Sequence, residues 1–136
     1  MNSCEKFWAE ALRRLSRKDY SVEEILSKVS PDCRNFVLER INSYFPDLDE
    51  RVYQSELRRT VNHGKGPLYL RNRLRERKLS TDEVREVNYE VWLDSLQKAM
   101  EKARRKYSDR EKVFQFLLRQ GFTYEMVSRF MKEVEM

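Results

Sequence analysis

The chain has 136 residues, 40% hydrophobic and 38% charged, with a formal net charge of +5. Only three glycines and three prolines are present, which argues against a sandwich, a barrel or a disordered tail, and no apolar run reaches the ~18 residues that cross a bilayer. The composition predicts a mostly helical, cytoplasmic chain with short joints, and the first seven residues lack the basic start and apolar core of a signal peptide.

The first predicted helix carries Trp8, Leu12 and Leu15 at i, i+4 and i+7, the spacing of one helical face. Ser21 with Glu24 fits a capping box, in which the hydroxyl accepts from one unpaired backbone N–H and the carboxylate from another. Ile25, Val29, Cys33, Leu38 and Ile41 follow as apolar positions, and Ser30 before Pro31 marks another helix start. Cys4 and Cys33 have no CxxC partner and no histidine cluster beside them, so neither a zinc site nor a disulfide framework is expected. Cys33 reads as a small buried hydrophobe kept reduced. Phe45-Pro46-Asp47 is the clearest joint, because proline stops a helix.

Beyond it, Tyr53, Leu57 and Thr60 define the next helix face, with Thr60 its weak member. Asn62-His63-Gly64-Lys65-Gly66-Pro67 then brings glycine and lysine to a helix start. A nucleotide loop is excluded, since that loop follows a strand and needs GxxxxGK[ST] with a hydroxyl for magnesium, whereas Pro67 follows Gly66 here. A simple turn remains, as does a helix start whose unpaired N–H groups and Lys65 receive a partner's acidic group. In the next helix Leu70 and Leu74 face inward, leaving Arg71 and Arg75 on one flank and Arg73 and Arg77 on the other.

Ser80 with Glu83 fits a second capping box, and no glycine or proline occurs from Thr81 to Tyr107. The helix through Val84 and Val87 is therefore expected to run stiffly into the one carrying Trp92, Leu96, Met100 and Ala103. Ser108 with Glu111 fits a third box, and Gly121 supplies the left-handed turn after Val113 and Leu117. Most aromatic residues fall on apolar helical positions, with Tyr69 and Tyr124 as exceptions.

One spacing occurs twice without slippage: Leu70, Leu74, Leu79, Val84, Val87 and, 43 residues on, Val113, Leu117, Phe122, Val127, Phe130. The segment from Ile25 to Ile41 is a looser third copy. The prediction is an all-α fold of nine helices in three tandem three-helix repeats, at 5–45, 49–88 and 89–134, forming an elongated, curved helical array. Such stacks present extended surfaces to long partners.

Charge separates the repeats. Residues 1–50 balance at −2 and residues 81–136 at zero, whereas residues 51–80 hold nine basic side chains against Glu56 and Glu76, a balance of +7. This block is an electrostatic footprint for an acidic partner, either nucleic acid or protein. Ordinary exposed helices alternate signs, and this segment does not. Lys102, Arg104, Arg105 and Lys106 form a second, partly neutralised cluster. An enzyme is not expected: the one histidine, His63, lies on a turn, and no nucleophile elbow or marked carboxylate pair occurs. No catalytic residue, cofactor or metal ligand is assigned.

In order and spacing the chain resembles the RecX family of bacterial regulators of the RecA recombinase. The resemblance runs from about Ala9 to Val134 and rests on Ala11-Leu12-Arg13-Arg14-Leu15 before Ser21, Glu24 and Ile25; on Asp49-Glu50 with Tyr53; on Arg59 leading into Gly64-Lys65-Gly66-Pro67 with Leu70 and Leu74; and on Arg110 through Phe116-Leu117-Leu118-Arg119-Gln120-Gly121-Phe122. The chain departs from the family at Lys78 and at Ser30-Pro31-Asp32, where members often carry glycine between helices, and at Phe45-Pro46. The resemblance implies a non-enzymatic, monomeric modulator in DNA repair, recombination and the SOS response. Such a modulator binds the RecA filament on single-stranded DNA and restrains strand exchange, ATP hydrolysis and co-protease activity, with weak, non-specific contact to single- or double-stranded DNA. The charge argument selects Arg58, Arg59, Lys65, Arg71, Arg73, Arg75 and Arg77 as the residues meeting RecA or DNA phosphate. The alternatives are a stand-alone helical nucleic-acid-binding protein acting without RecA, which steep salt dependence would mark, and a plain helical scaffold.

Overall fold

The computed structural model describes residues 3–82, 84 and 88–135. Among them no strand occurs and eight α-helices follow one another: α1 (Ser3–Leu15), α2 (Val22–Leu26), α3 (Arg34–Tyr44), α4 (Leu48–Asn62), α5 (Pro67–Glu76), α6 (Tyr89–Lys106), α7 (Arg110–Arg119) and α8 (Tyr124–Glu135). The fold is all-α and built from three-helix repeats, as the spacing predicts. A 3-10 turn over Pro31–Cys33, rather than an α-helical turn, leads from Ser30 into α3. No helix among the described residues is long and apolar enough to cross a membrane. The chain forms two compact units, one of Met1–Ser55 with Glu76–Leu79, the other of Glu56–Arg75 with Ser80–Met136.

The first unit closes around Trp8, Ala11, Ile25, Leu26, Val37, Ile41 and Leu48. Two expected faces are shifted by one residue. Ala11 is buried while Leu12 is 41% exposed, because the small alanine gives α1 its close approach and the Trp8 ring stacks on Tyr44 at 5.8 Å. Val37 rather than Leu38 pairs with Ile41 at i, i+4, both fully buried, and Leu38 packs at the margin of the core. Ser21 caps α2 as expected: its Oγ accepts from the Glu24 N–H at 3.1 Å, while its own N–H donates to Glu24 Oε1 at 2.8 Å. Cys4 and Cys33 form a disulfide, their Cα atoms 5.2 Å apart, which corrects the reduced state expected for Cys33. The fold lays the first turn of α1 against the 3-10 turn, a proximity that a sequence separation of 29 conceals. Cys33 is nonetheless buried, at 3% exposure.

In the second unit the repeated positions pack as the spacing requires. Leu70, Leu74, Val84, Val113, Leu117, Phe122, Val127 and Phe130 are all buried, alongside Trp92, Leu96, Ala99, Met100 and Ala103 of α6. Leu79 is only half-buried, and Val87 lies outside the described residues. So does Glu83 of the Ser80 capping box, together with residues 85–87 of the expected ninth helix; Ser80 Oγ accepts instead from the Asp82 N–H at 3.3 Å. α6 is not a continuation of that segment. Asn88 holds an extended backbone, with ψ of 162°, and its side chain accepts from the Val91 N–H, so α6 has its own N-cap. Asp109, not Ser108, caps α7, its Oδ1 2.9 Å from the Glu111 N–H. A carboxylate one residue later sits better at the positive end of the helix. Gly121 adopts the left-handed conformation expected, at φ of +99°. Lys78 occupies the same region at φ of +58°, at the joint where a glycine is the ordinary choice.

Candidate partner-binding surface

α4 and α5 carry the basic block, and their packing sorts it. Leu70 and Leu74, both fully buried, fix the inner face of α5 and send its three arginines, Arg71, Arg73 and Arg75, outward on two flanks, with Arg77 just past its end. On one flank Arg73 Nε and Nη2 each donate to the Glu56 carboxylate at 3.1 Å, a bidentate pair with a side chain only 4% exposed. Further along, Arg77 Nε donates to Glu24 Oε1 at 3.0 Å and its Nη2 to the Asp19 carbonyl at 2.7 Å. The Arg77 carbonyl in turn accepts from Ser21 Oγ at 2.5 Å. The acids that pair with Arg73 and Arg77 are thus supplied by α4 and α2 respectively. On the opposite flank Arg75 is exposed and Arg71 half-exposed, at the edge of a cavity of about 290 Å³ lined by Pro67, Val84, Trp92 and Met126. Arg58 and Arg59 are exposed on α4. None of Arg58, Arg59, Arg71 and Arg75 pairs with a carboxylate among the described residues.

The glycine-rich joint is closed from within. The Gly66 N–H donates to the Gln120 carbonyl and the Leu68 N–H to the Gly121 carbonyl, both at 2.9 Å, so the start of α5 does not offer these groups to a partner's anion. Lys65 Nζ donates to Gln120 Oε1 at 2.6 Å, which ties this predicted contact to the turn between α7 and α8. A Cβ on Gly66 would lie 2.5 Å from Gly121 C and Phe122 N, so backbone approaches backbone where only glycine fits.

A further basic surface escapes one-dimensional reading. Lys102 Nζ of α6 donates to the His63 carbonyl just past α4, at 3.1 Å, and the α6 backbone at Ala99 lies against Gly64. The end of α4 and the cluster on α6 therefore adjoin. The signal available beforehand was the i, i+4, i+7 spacing of Lys98, Lys102 and Arg105, which only a known neighbour makes meaningful. Among the described residues, no group of three or more His, Cys, Asp or Glu is placed to hold a metal ion.

Comparison with known proteins agrees with this architecture. Residues 90–131 match the family model described as RecX, third three-helix domain. The chain is 28% identical over 145 residues to Regulatory protein RecX of Legionella pneumophila (strain Corby), with 96% of this chain and 95% of the relative covered. Its fold superimposes on the crystal structure of RecX from Lactobacillus salivarius with a TM-score of 0.80 at 19% identity, covering 97% of this chain and 96% of the other. A second crystal structure, of a regulatory protein RecX, gives 0.72 at 21% identity over 92% and 70% of the two chains. Agreement in the three-helix unit, along the sequence and in the fold leads to one conclusion: residues 90–131 match the third three-helix domain of RecX, and nearly the whole chain is similar to regulatory proteins RecX.

Proposed function

We propose that this chain is a RecX-type regulator, acting without catalysis in the cytoplasm, that binds RecA filaments on single-stranded DNA and restrains their recombinase, ATPase and co-protease activities. The observation that carries the proposal is the likeness to regulatory proteins RecX along almost the whole chain. The repeats at 5–45, 49–88 and 89–134 are its framework, and the middle one makes the main electrostatic contact. Arg58, Arg59, Arg71 and Arg75 are the contributors favoured here, because they carry charge that no neighbouring carboxylate offsets. Lys65, Arg73 and Arg77 contribute through the architecture they hold and the field they add. Attraction between exposed charges is screened within ~8 Å at physiological salt, so binding weakens as salt rises.

The test is RecA ATPase on single-stranded DNA, titrated with substoichiometric protein. Inhibition by the intact chain is expected, and its absence sinks the proposal. Arg58→Ala/Arg71→Ala/Arg75→Ala is the informative variant, because it leaves the Glu56 and Glu24 pairs intact. If that variant folds and inhibits as well as the parent, regulation stands and the basic-surface contact is wrong.

A further inference from the structure

Cys4 heads the buried stripe of α1: Trp8 and Ala11 follow it at i+4 and i+7, and the Trp8 ring packs on Tyr44 at 5.8 Å and on Phe45 at 6.5 Å. Ser3, Glu5 and Lys6, the other residues of that first turn, are exposed, so its hold on the unit runs through Cys4. The two sulfurs of the disulfide differ in access. Cys4 is half-buried at the helix end, whereas Cys33 is 3% exposed and belongs to the apolar core. When reduced, Cys33 keeps a fitting environment there, because a free cysteine behaves as a small hydrophobe. The chain has only these two cysteines, so neither sulfur has a competing partner within the molecule.

In the cytoplasm glutathione and thioredoxin keep thiols reduced, and the disulfides that do form there are usually transient, catalytic or redox-sensing. We propose that Cys4 and Cys33 are a reversible, hydroperoxide-sensitive thiol pair, with Cys4 attacked first and Cys33 resolving it, that clamps and releases the first turn of α1. The inference rests on the cytoplasmic setting of the proposed function and goes beyond it. Access and the positive end of α1, which favours a thiolate, both direct the first step to Cys4. Its sulfur attacks a hydroperoxide oxygen; the O–O bond breaks, an S–O bond forms, and the leaving oxygen takes the thiol proton and departs as alcohol or water. The Cys33 sulfur then attacks Cys4 Sγ, the S–O bond breaks, and the hydroxyl leaves as water with the Cys33 proton. The pair has thus passed two electrons to the peroxide. Reversal consumes two glutathione thiols: one attacks Cys4 Sγ and frees Cys33, the second frees Cys4, and glutathione disulfide leaves.

The experiment equilibrates the full chain in a glutathione buffer at cytosolic redox poise, adds stoichiometric hydrogen peroxide, and counts thiols by alkylation and mass spectrometry. Both thiols should be free in the buffer, disappear together within one molecule on oxidation, and return with fresh glutathione. Cys33→Ala, or Cys33→Val where circular dichroism shows that alanine unfolds the unit, keeps Cys4, and dimedone should trap its sulfenic acid. Cys4→Ser should leave Cys33 unlabelled. Hydrogen exchange reads the clamp: the amides of Phe7, Trp8 and Ala9, which bond back to residues 3–5 in α1, should exchange at least about tenfold faster in the reduced form, while those of α7 do not change. The proposal falls if the bond persists in the glutathione buffer, if peroxide leaves the thiols untouched or joins separate molecules, if Cys33 rather than Cys4 takes the dimedone label, or if exchange is equal in the two forms. None of these readouts involves RecA. A chain that fails to inhibit RecA therefore overturns the regulatory reading alone, and one that inhibits but fails here overturns this inference alone.

Discussion

Arg73 of α5 grips the buried Glu56 of α4 by both carboxylate oxygens, each contact 3.1 Å long. A carboxylate that is 4% exposed keeps its charge only while a partner offsets the loss of water. Arg73→Ala therefore removes more than one contact, since it takes both guanidinium hydrogen bonds and their charge away from a buried carboxylate. The expected cost is about 3 kcal/mol, the low end for breaking such a pair, because Arg73 itself is 26% exposed. Glu56→Met/Arg73→Met should come within about 1 kcal/mol of the parent, since both charges leave together. Urea denaturation of the single and double variants measures this, and additive costs would show that the two side chains do not act as a pair.

The same pair marks where the sequence stops being readable. Apolar period, caps and the 43-residue repeat are local signals, and they locate most helices and the faces of α5 to α8. Leu12 and Leu38 fail by one residue because Ala11 and Val37 suit close helix approach better, a choice made by packing rather than by period. Asp109 displaces Ser108 because the two neighbours compete for the same cap, and Asn88 gives α6 a start of its own where an uninterrupted run was expected. The basic block is visible in the chain, but its division is not: Glu56 and Glu24 reach Arg73 and Arg77 only after α4 and α2 are placed. Lys102 beside His63 is hidden in the same way.

The Cys4–Cys33 disulfide ties the first turn of α1 to the 3-10 turn. Closing a loop of 29 positions removes denatured-state entropy worth about 3 to 4 kcal/mol in the chain-entropy treatment. A reductant should lower the urea midpoint of the oxidised protein accordingly. Cys4→Ser should start at the lower midpoint and ignore the reductant. Equal midpoints for the parent with and without reductant, with thiol titration confirming reduction, would remove the disulfide from the stability of this unit.

Lys78 sits at φ of +58°, where a side chain meets the backbone and glycine does not. Lys78→Gly should stabilise the protein by about 0.5 to 1 kcal/mol, the relief of left-handed strain less the entropy glycine adds to the unfolded chain. Lys78→Val should destabilise by about 1 kcal/mol or more, because a β-branched residue is the poorest fit to this region. Thermal denaturation ranks the three; valine at or above lysine would mean that the joint relaxes out of the left-handed region.

Tyr89 at the start of α6 donates its hydroxyl to Glu133 Oε2 of α8 at 3.2 Å, beneath the Arg129 guanidinium, which lies 3.9 Å from the ring centre. Partial burial, then the hydrogen bond to Glu133 and the charge of that carboxylate, push the phenol from 10.0 up to about 12, while Arg129 pulls it back. The folded protein therefore holds this proton at pH values where the unfolded chain has released it. The resulting stabilisation is complete below pH 10.0 and is lost as pH rises towards about 12, since the folded state binds more protons across that window. Tyr89→Phe keeps the ring under Arg129 and removes the proton. The parent should exceed this variant in urea midpoint near pH ~9.5, and the gap should close towards pH ~11.5. A gap that stays constant over this range would mean that Tyr89 titrates as it does in the unfolded chain and that the Glu133 contact does not hold its proton.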